Sequence, residues 1–109
     1  MKRTFSFSPL TVEAARVLGS QIRLARTQRR WTVAELAERV GTSSPTVQKI
    51  ERGDPTVGLG LALEAAVLTG VTLFSPEPDH RRMEARHIAD RLALLPQAVR
   101  APVKIDDEF

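Results

Sequence analysis

Cysteine is absent from the 109 residues, which removes disulfides and thiolate metal sites from consideration. Tyrosine is absent too, and the aromatic complement is one Trp and four Phe. The two histidines, His80 and His87, are too few to hold a metal without several carboxylate partners. No apolar run approaches the roughly 18 residues that a membrane span requires. Met1-Lys2-Arg3-Thr4-Phe5-Ser6 is basic, but no apolar stretch of signal-peptide length follows it, so a soluble, cytoplasmic protein is expected. Nucleophile–base spacing, a phosphate loop and a metal cluster are all lacking. Glu84 and Asp90 read as a solvated helix face rather than an acid/base pair, and His87 as a surface side chain. The expectation is a non-enzyme with no cofactor, no metal and no small-molecule substrate.

What the chain does hold is helix-forming residues and asymmetric charge. Ala, Leu, Arg and Glu are abundant, and all favour helices. A chain this short buries a modest core, which a helical bundle with short loops achieves. Residues 1–52 carry ten Lys and Arg against four acids, a net of +6; residues 53–109 carry six against nine, a net of −3. A basic half joined to an acidic half suggests a polyanionic partner for the first, although Arg-rich surfaces also serve solubility alone.

Hydrophobic spacing and cap residues divide the chain. Residues 1–8 are polar and expected to be flexible. Ser8-Pro9 opens a first helix over about 9–29, with Leu10, Ala14, Val17, Leu18, Ile22 and Ala25 at helical spacing and Arg16, Arg23 and Arg30 opposite. Thr32 with Glu35 three positions on is a capping box for a second helix over 33–40, which Gly41 ends. Ser43 caps a third over 44–52, closed by Gly53. A fourth is expected over 57–69, stopped by Gly70. Val71 to Phe74 reads as a short strand that needs a partner. A C-terminal helix is expected over about 79–94, within a 75–95 region, with Met83, Ile88, Leu92 and Leu95 toward the body. The tail 96–109 contains two prolines and ends Ile105-Asp106-Asp107-Glu108-Phe109, an acidic segment expected to be disordered alone.

The informative stretch runs from Trp31 to Gly53. Two short helices meet at a glycine turn. Leu36, Ala37, Val40, Val47 and Ile50 are the apolar residues that would set one across the other, and Trp31 reads as a core residue. The outward residues of the second helix are Ser44, Pro45, Thr46, Gln48, Lys49 and Arg52, which are mostly small, hydrogen-bonding or basic. Such a helix enters the major groove by its N-terminal turn, where its dipole also favours phosphate.

On Leu36-Ala37, Gly41, Val47, Ile50-Glu51 and Gly53, with Trp31 ahead of them, residues 16–73 resemble the Xre/Cro-type helix-turn-helix family of bacterial and phage repressors. The resemblance implies an all-α, lambda-repressor-like five-helix bundle, with the segments after it a short strand/helix extension for dimerisation. The helix-turn-helix domain is placed at 9–74. Base reading is implied for Ser44, Pro45 and Lys49, with Thr46 and Gln48 beside them. Phosphate contact is implied for Arg52 and considered for Thr32, Ser43, Arg30 and Arg39, and an ion pair tying helix to helix for Arg26 and Glu51. Arg23, Arg29, Arg30 and Arg39 are either phosphate contacts or solvated charges. Where the family usually has Gln at the start of its second helix this chain has Val33, so Thr32 and the backbone amides are left to anchor that end.

One such head reads only a few base pairs, so a homodimer on a palindromic operator is expected, joined through Val71, Leu73 and Phe74, through helix 79–94, or both. Ile50-Glu51-Arg52-Gly53-Asp54-Pro55, Leu92-Ala93-Leu94-Leu95-Pro96 and the ending Asp106-Asp107-Glu108-Phe109 are similar to HipB-type antitoxins. That second resemblance implies a HipA-like serine/threonine kinase toxin as partner, with Ile105 and Phe109 as contacts. A stand-alone repressor and a helical protein-interaction adaptor are the alternatives.

Overall fold

Side-chain oxygens set the starts of the first three helices. Ser8 accepts from the Thr11 amide at 3.3 Å and Pro9 takes the first helical position, so α1 runs Pro9–Gln28. Thr32 and Glu35 cap reciprocally. The Glu35 amide donates to Thr32 Oγ1 at 3.0 Å and the Thr32 amide to Glu35 Oε1 at 2.7 Å, and α2 follows over Val33–Val40. Gly41 stands at φ 86°, a conformation that lets its own amide and that of Thr42 both donate to the Ala37 carbonyl at 2.9 Å. Ser43 then accepts from the Thr46 amide at 3.3 Å and opens α3, Ser44–Arg52. With α4 (Leu59–Thr69) and α5 (Pro78–Ala93), the computed structural model, which describes residues 6–96, is an all-α protein of five helices with no strand among the described residues. The chain divides into two units after Leu73: α1 to α4 form one and α5 belongs to the other.

The core of the first unit draws on all four of its helices: Ile22 from α1, Leu36 and Ala37 from α2, Val47 and Ile50 from α3, and Ala65 and Ala66 from α4. Ile22, Leu36 and Val47 are fully buried, and each burial stabilises by about 1.5–3 kcal/mol. Leu18, Trp31, Val33, Val40, Val57, Leu61, Val71 and Leu73 close around them.

The contact between α1 and α3 is made backbone to backbone. A β-carbon on Gly19 would press on the carbonyls of Ile50 and Glu51, the latter at 2.8 Å. One on Gly53 would lie 2.7 Å from the Arg16 amide nitrogen, and Gly53 also stands at φ 77°. The two helices therefore touch where α3 ends.

This contact corrects the expected face of α1. Leu10 and Val17 were expected inward but are 73% and 52% exposed, and Ala14 is exposed as well. The inward face is Ala15, Leu18, Gly19, Ile22 and Ala25, because only the glycine side of the helix can approach α3 so closely. α4 starts at Leu59 rather than 57. Asp54 Oδ1 accepts from the Thr56 amide at 2.9 Å and its hydroxyl at 2.6 Å, and this side-chain turn holds the chain out of the helix until Gly58. The expected strand Val71 to Phe74 is irregular. The Val71 amide donates to the Ala66 carbonyl at 2.8 Å, finishing α4, and Val71 and Leu73 pack on the core while Phe74 is 67% exposed. Two of the three residues expected to bridge copies thus serve the chain's own core. Met83, Ile88 and Leu92 of α5 and Leu95 just after it are exposed, and no α5 residue is buried. The tail readings, including Ile105 and Phe109, fall outside the described residues, as do residues 1–5.

Two alanine substitutions test the close contact. Gly60 lies in α4 with nothing within 4 Å of an added β-carbon, so Gly60→Ala is expected to stabilise by up to ~1 kcal/mol. Gly19→Ala gains the same helix preference but overpacks at about 1–3 kcal/mol, so it is expected to lower the melting temperature while Gly60→Ala raises it. Thermal unfolding followed by circular dichroism reads both.

Candidate nucleic-acid interface

α3 has nine residues, too few to be stable in isolation, so its inner face must be gripped. Val47 and Ile50 supply the apolar part of that grip. Glu51 supplies the polar part. Arg26 Nε donates to Glu51 Oε2 at 2.7 Å and Arg26 Nη2 to Glu51 Oε1 at 3.0 Å, a two-pronged pair that fixes direction as well as distance. Arg26 Nη1 donates to the Trp31 carbonyl at 2.8 Å, so one guanidinium joins α1, α3 and the turn before α2. The side chains are 13% and 7% exposed. The hydrogen bonds to Glu51 raise the Arg26 pKa above its usual value, against the opposing effect of burial.

With that side occupied, the opposite face of α3 is free. Pro45, Gln48, Lys49 and Arg52 are exposed and follow one another at three-, four- and seven-residue spacing from the first, which places them along one face. Ser44 and Thr46 are half-buried. The Thr46 hydroxyl lies 2.9 Å from that of Ser43, so Thr46 belongs partly to the cap. Ser43 and Thr32 are exposed, each at the start of a helix whose first-turn amides have no partner within the helix. Lys49 and Arg52 sit in the last turn of α3, where positive charge also suits the helix dipole.

The remaining arginines separate by what they touch. Arg29 Nε donates to the Thr69 carbonyl at 3.0 Å and its guanidinium lies 5.4 Å from the Trp31 ring centre, so it joins the end of α1 to the end of α4. Arg39 lies over the Trp31 ring at 4.1 Å and is exposed. Arg30 is exposed, with φ 61°, and carries the chain out of α1. Arg23 is exposed on α1. Sequence reasoning missed the Gly19 contact, although a glycine inside a helical pattern signals close packing. It also missed the Arg29–Thr69 link, for which the sequence carries no signal. At the α3–α4 turn, the two hydrogen bonds from Thr56 hold the Asp54 carboxyl below its ordinary pKa. That support is present above the usual carboxylate range and lost as pH falls through the lowered value.

Such an arrangement, a clamped inner face and a basic, hydrogen-bonding outer face on the second of two helices joined by a glycine turn, defines a helix-turn-helix DNA-binding domain. The family model described as Helix-turn-helix domain matches residues 17–73, and the chain belongs to that family. No curated protein and no solved structure matches the chain. Among the described residues, no group of His, Asp and Glu could hold a metal ion, and no helix is long and apolar enough to cross a membrane.

The buried pair is testable by replacing one or both members. Arg26→Met leaves a carboxylate 7% exposed without its partner and is expected to destabilise by about 3 kcal/mol. The double variant Arg26→Met with Glu51→Met removes the orphaned charge and is expected to be more stable than Arg26→Met alone. Urea unfolding midpoints measure the difference.

Proposed function

We propose that this helix-turn-helix protein is a sequence-specific transcriptional repressor that reads a palindromic operator as a homodimer. The observation that carries the reading is the exposed line Pro45, Gln48, Lys49 and Arg52 on a helix whose other side is locked by Val47, Ile50 and the Arg26–Glu51 pair. α3 enters the major groove. Lys49 donates to the guanine acceptors N7 and O6, Gln48 pairs with adenine, and Pro45 gives apolar contact to a thymine methyl. Ser44 and Thr46 stand at the entering turn. Thr32, Ser43 and Arg52 hold phosphates on either side, with Arg30 and Arg39 as outer charges. Bound across a promoter, the dimer excludes other proteins from the duplex. The similarity to HipB-type antitoxins would add a kinase toxin as a partner, whose candidate contacts, Ile105 and Phe109, fall outside the described residues.

Selection from a random duplex pool, followed by binding at several salt concentrations, tests it. Lys49→Ala is expected to relax preference at one base pair by about 1–3 kcal/mol. Arg52→Ala is expected to weaken binding to every sequence alike and to reduce the salt slope by about one. Absence of an enriched sequence, or affinity indifferent to salt, would contradict the reading.

A further inference from the structure

A negative charge stands at the end of the helix whose outer face is otherwise basic. Lys49 and Arg52, both exposed in the last turn of α3, are followed by Asp54, the first residue beyond the Gly53 cap. The cap fixes where Asp54 stands. Its amide donates to the Lys49 carbonyl at 3.0 Å, just after the Gly53 amide donates to that of Ile50 at 3.0 Å. The backbone of Asp54 therefore abuts that of Lys49 and lies two residues past Arg52. Its side chain is fixed as well, since Oδ1 accepts from the Thr56 amide at 2.9 Å and from the Thr56 hydroxyl at 2.6 Å. An asparagine would present the same oxygen to the same two donors, so the turn calls for an acceptor and not for a charge. A carboxylate at the C-terminal end of a helix also has the wrong sign for the helix dipole. The Thr56 hydrogen bonds are the larger cause of the lowered Asp54 pKa, but Lys49 and Arg52 act in the same direction, and the group is ionised at neutral pH.

We infer that Asp54 is a specificity-determining residue, whose carboxylate at the exit of α3 opposes sequence-independent binding of Lys49 and Arg52 to phosphates. The inference rests on the DNA reading proposed above and deepens it. Binding to random duplex is almost entirely phosphate attraction. Any seating of α3 that brings both cations to phosphates brings the tethered carboxylate with them, and its repulsion subtracts from that attraction. On the operator, Lys49 is turned to base acceptors, whose hydrogen bonds depend on direction as well as on charge. There only the Arg52 phosphate contact meets the full repulsion. Asp54 thus weakens binding to random duplex more than binding to the operator, and the difference is selectivity.

Two substitutions separate the charge from the turn. Asp54→Asn keeps the acceptor and removes the charge, whereas Asp54→Glu keeps the charge on a side chain too long for the same turn. Each is compared with the parent by fluorescence anisotropy on a duplex selected from a random pool and on a random-sequence duplex of equal length, at several salt concentrations. Asp54→Asn is expected to keep the parent's melting temperature and to bind the random duplex about fivefold more tightly at low salt. Its salt slope on that duplex is expected to steepen by about one, and its preference for the selected duplex to fall. Asp54→Glu is expected to melt lower while still disfavouring the random duplex as the parent does. An Asp54→Asn protein with the parent's salt slope and the parent's affinity for random duplex would overturn the inference. So would an Asp54→Glu protein that loses selectivity as Asp54→Asn does, because the turn and not the charge would then be the cause. In both of those cases the parent remains selective. A parent that enriches no sequence, or binds without regard to salt, would overturn the DNA reading and this inference with it.

Discussion

A helix of nine residues cannot hold its own orientation, and in this protein the hold is the Arg26–Glu51 pair beside a glycine contact. The guanidinium fixes the end of α3 in direction, and Gly19 lets the backbones of α1 and α3 approach until little freedom is left. Val47 and Ile50 add the apolar burial that makes the contact favourable. Because these four groups occupy one side of α3, the other side is left with a straight row of exposed donors and positive charge.

The rest of the domain keeps that grip in place. The capping box at Thr32 and the Gly41 turn set α2 at a fixed angle to α3. Trp31 sits between α1 and α2 with Arg29 and Arg39 at its ring, and Arg29 reaches on to the Thr69 carbonyl at the end of α4. Val71 and Leu73 then seal the base of the core. The basic residues around α3 thus differ in what they meet. Arg26 and Arg29 are spent on internal carboxylate and carbonyl partners. Lys49 and Arg52 are kept in solvent on the outer face of α3, where a polyanion can reach them.

Features with local causes were legible in the sequence. Thr32 with Glu35, Gly41 and Ser43 are contacts within four residues, and α2 and α3 have the boundaries those residues dictate. The outer row on α3 was legible for the same reason, since its periodicity runs over only eight residues. Features set by tertiary contact were not. α1 presents apolar residues on two faces, and periodicity cannot rank them; the glycine contact decides which one is buried. Val71 to Phe74 alternates as a strand would, and its side chains do alternate inward and outward, but Ala66 takes the Val71 amide and no ladder forms. The start of α4 depends on a side-chain turn at Asp54, which competes with the helix for the same backbone groups.

The outer face of α3 is proposed to meet DNA while its inner face stays clamped to α1. Backbone amide signals followed by NMR, as a duplex selected from a random pool is added, test this most directly. Large shifts are expected at Thr32 to Ala34, at Ser43 and Ser44, and at Thr46 to Arg52, with Ile22, Ala65 and Ala66 nearly unmoved. Shifts confined to α1 or α5, with the α3 amides unchanged at saturation, would contradict it.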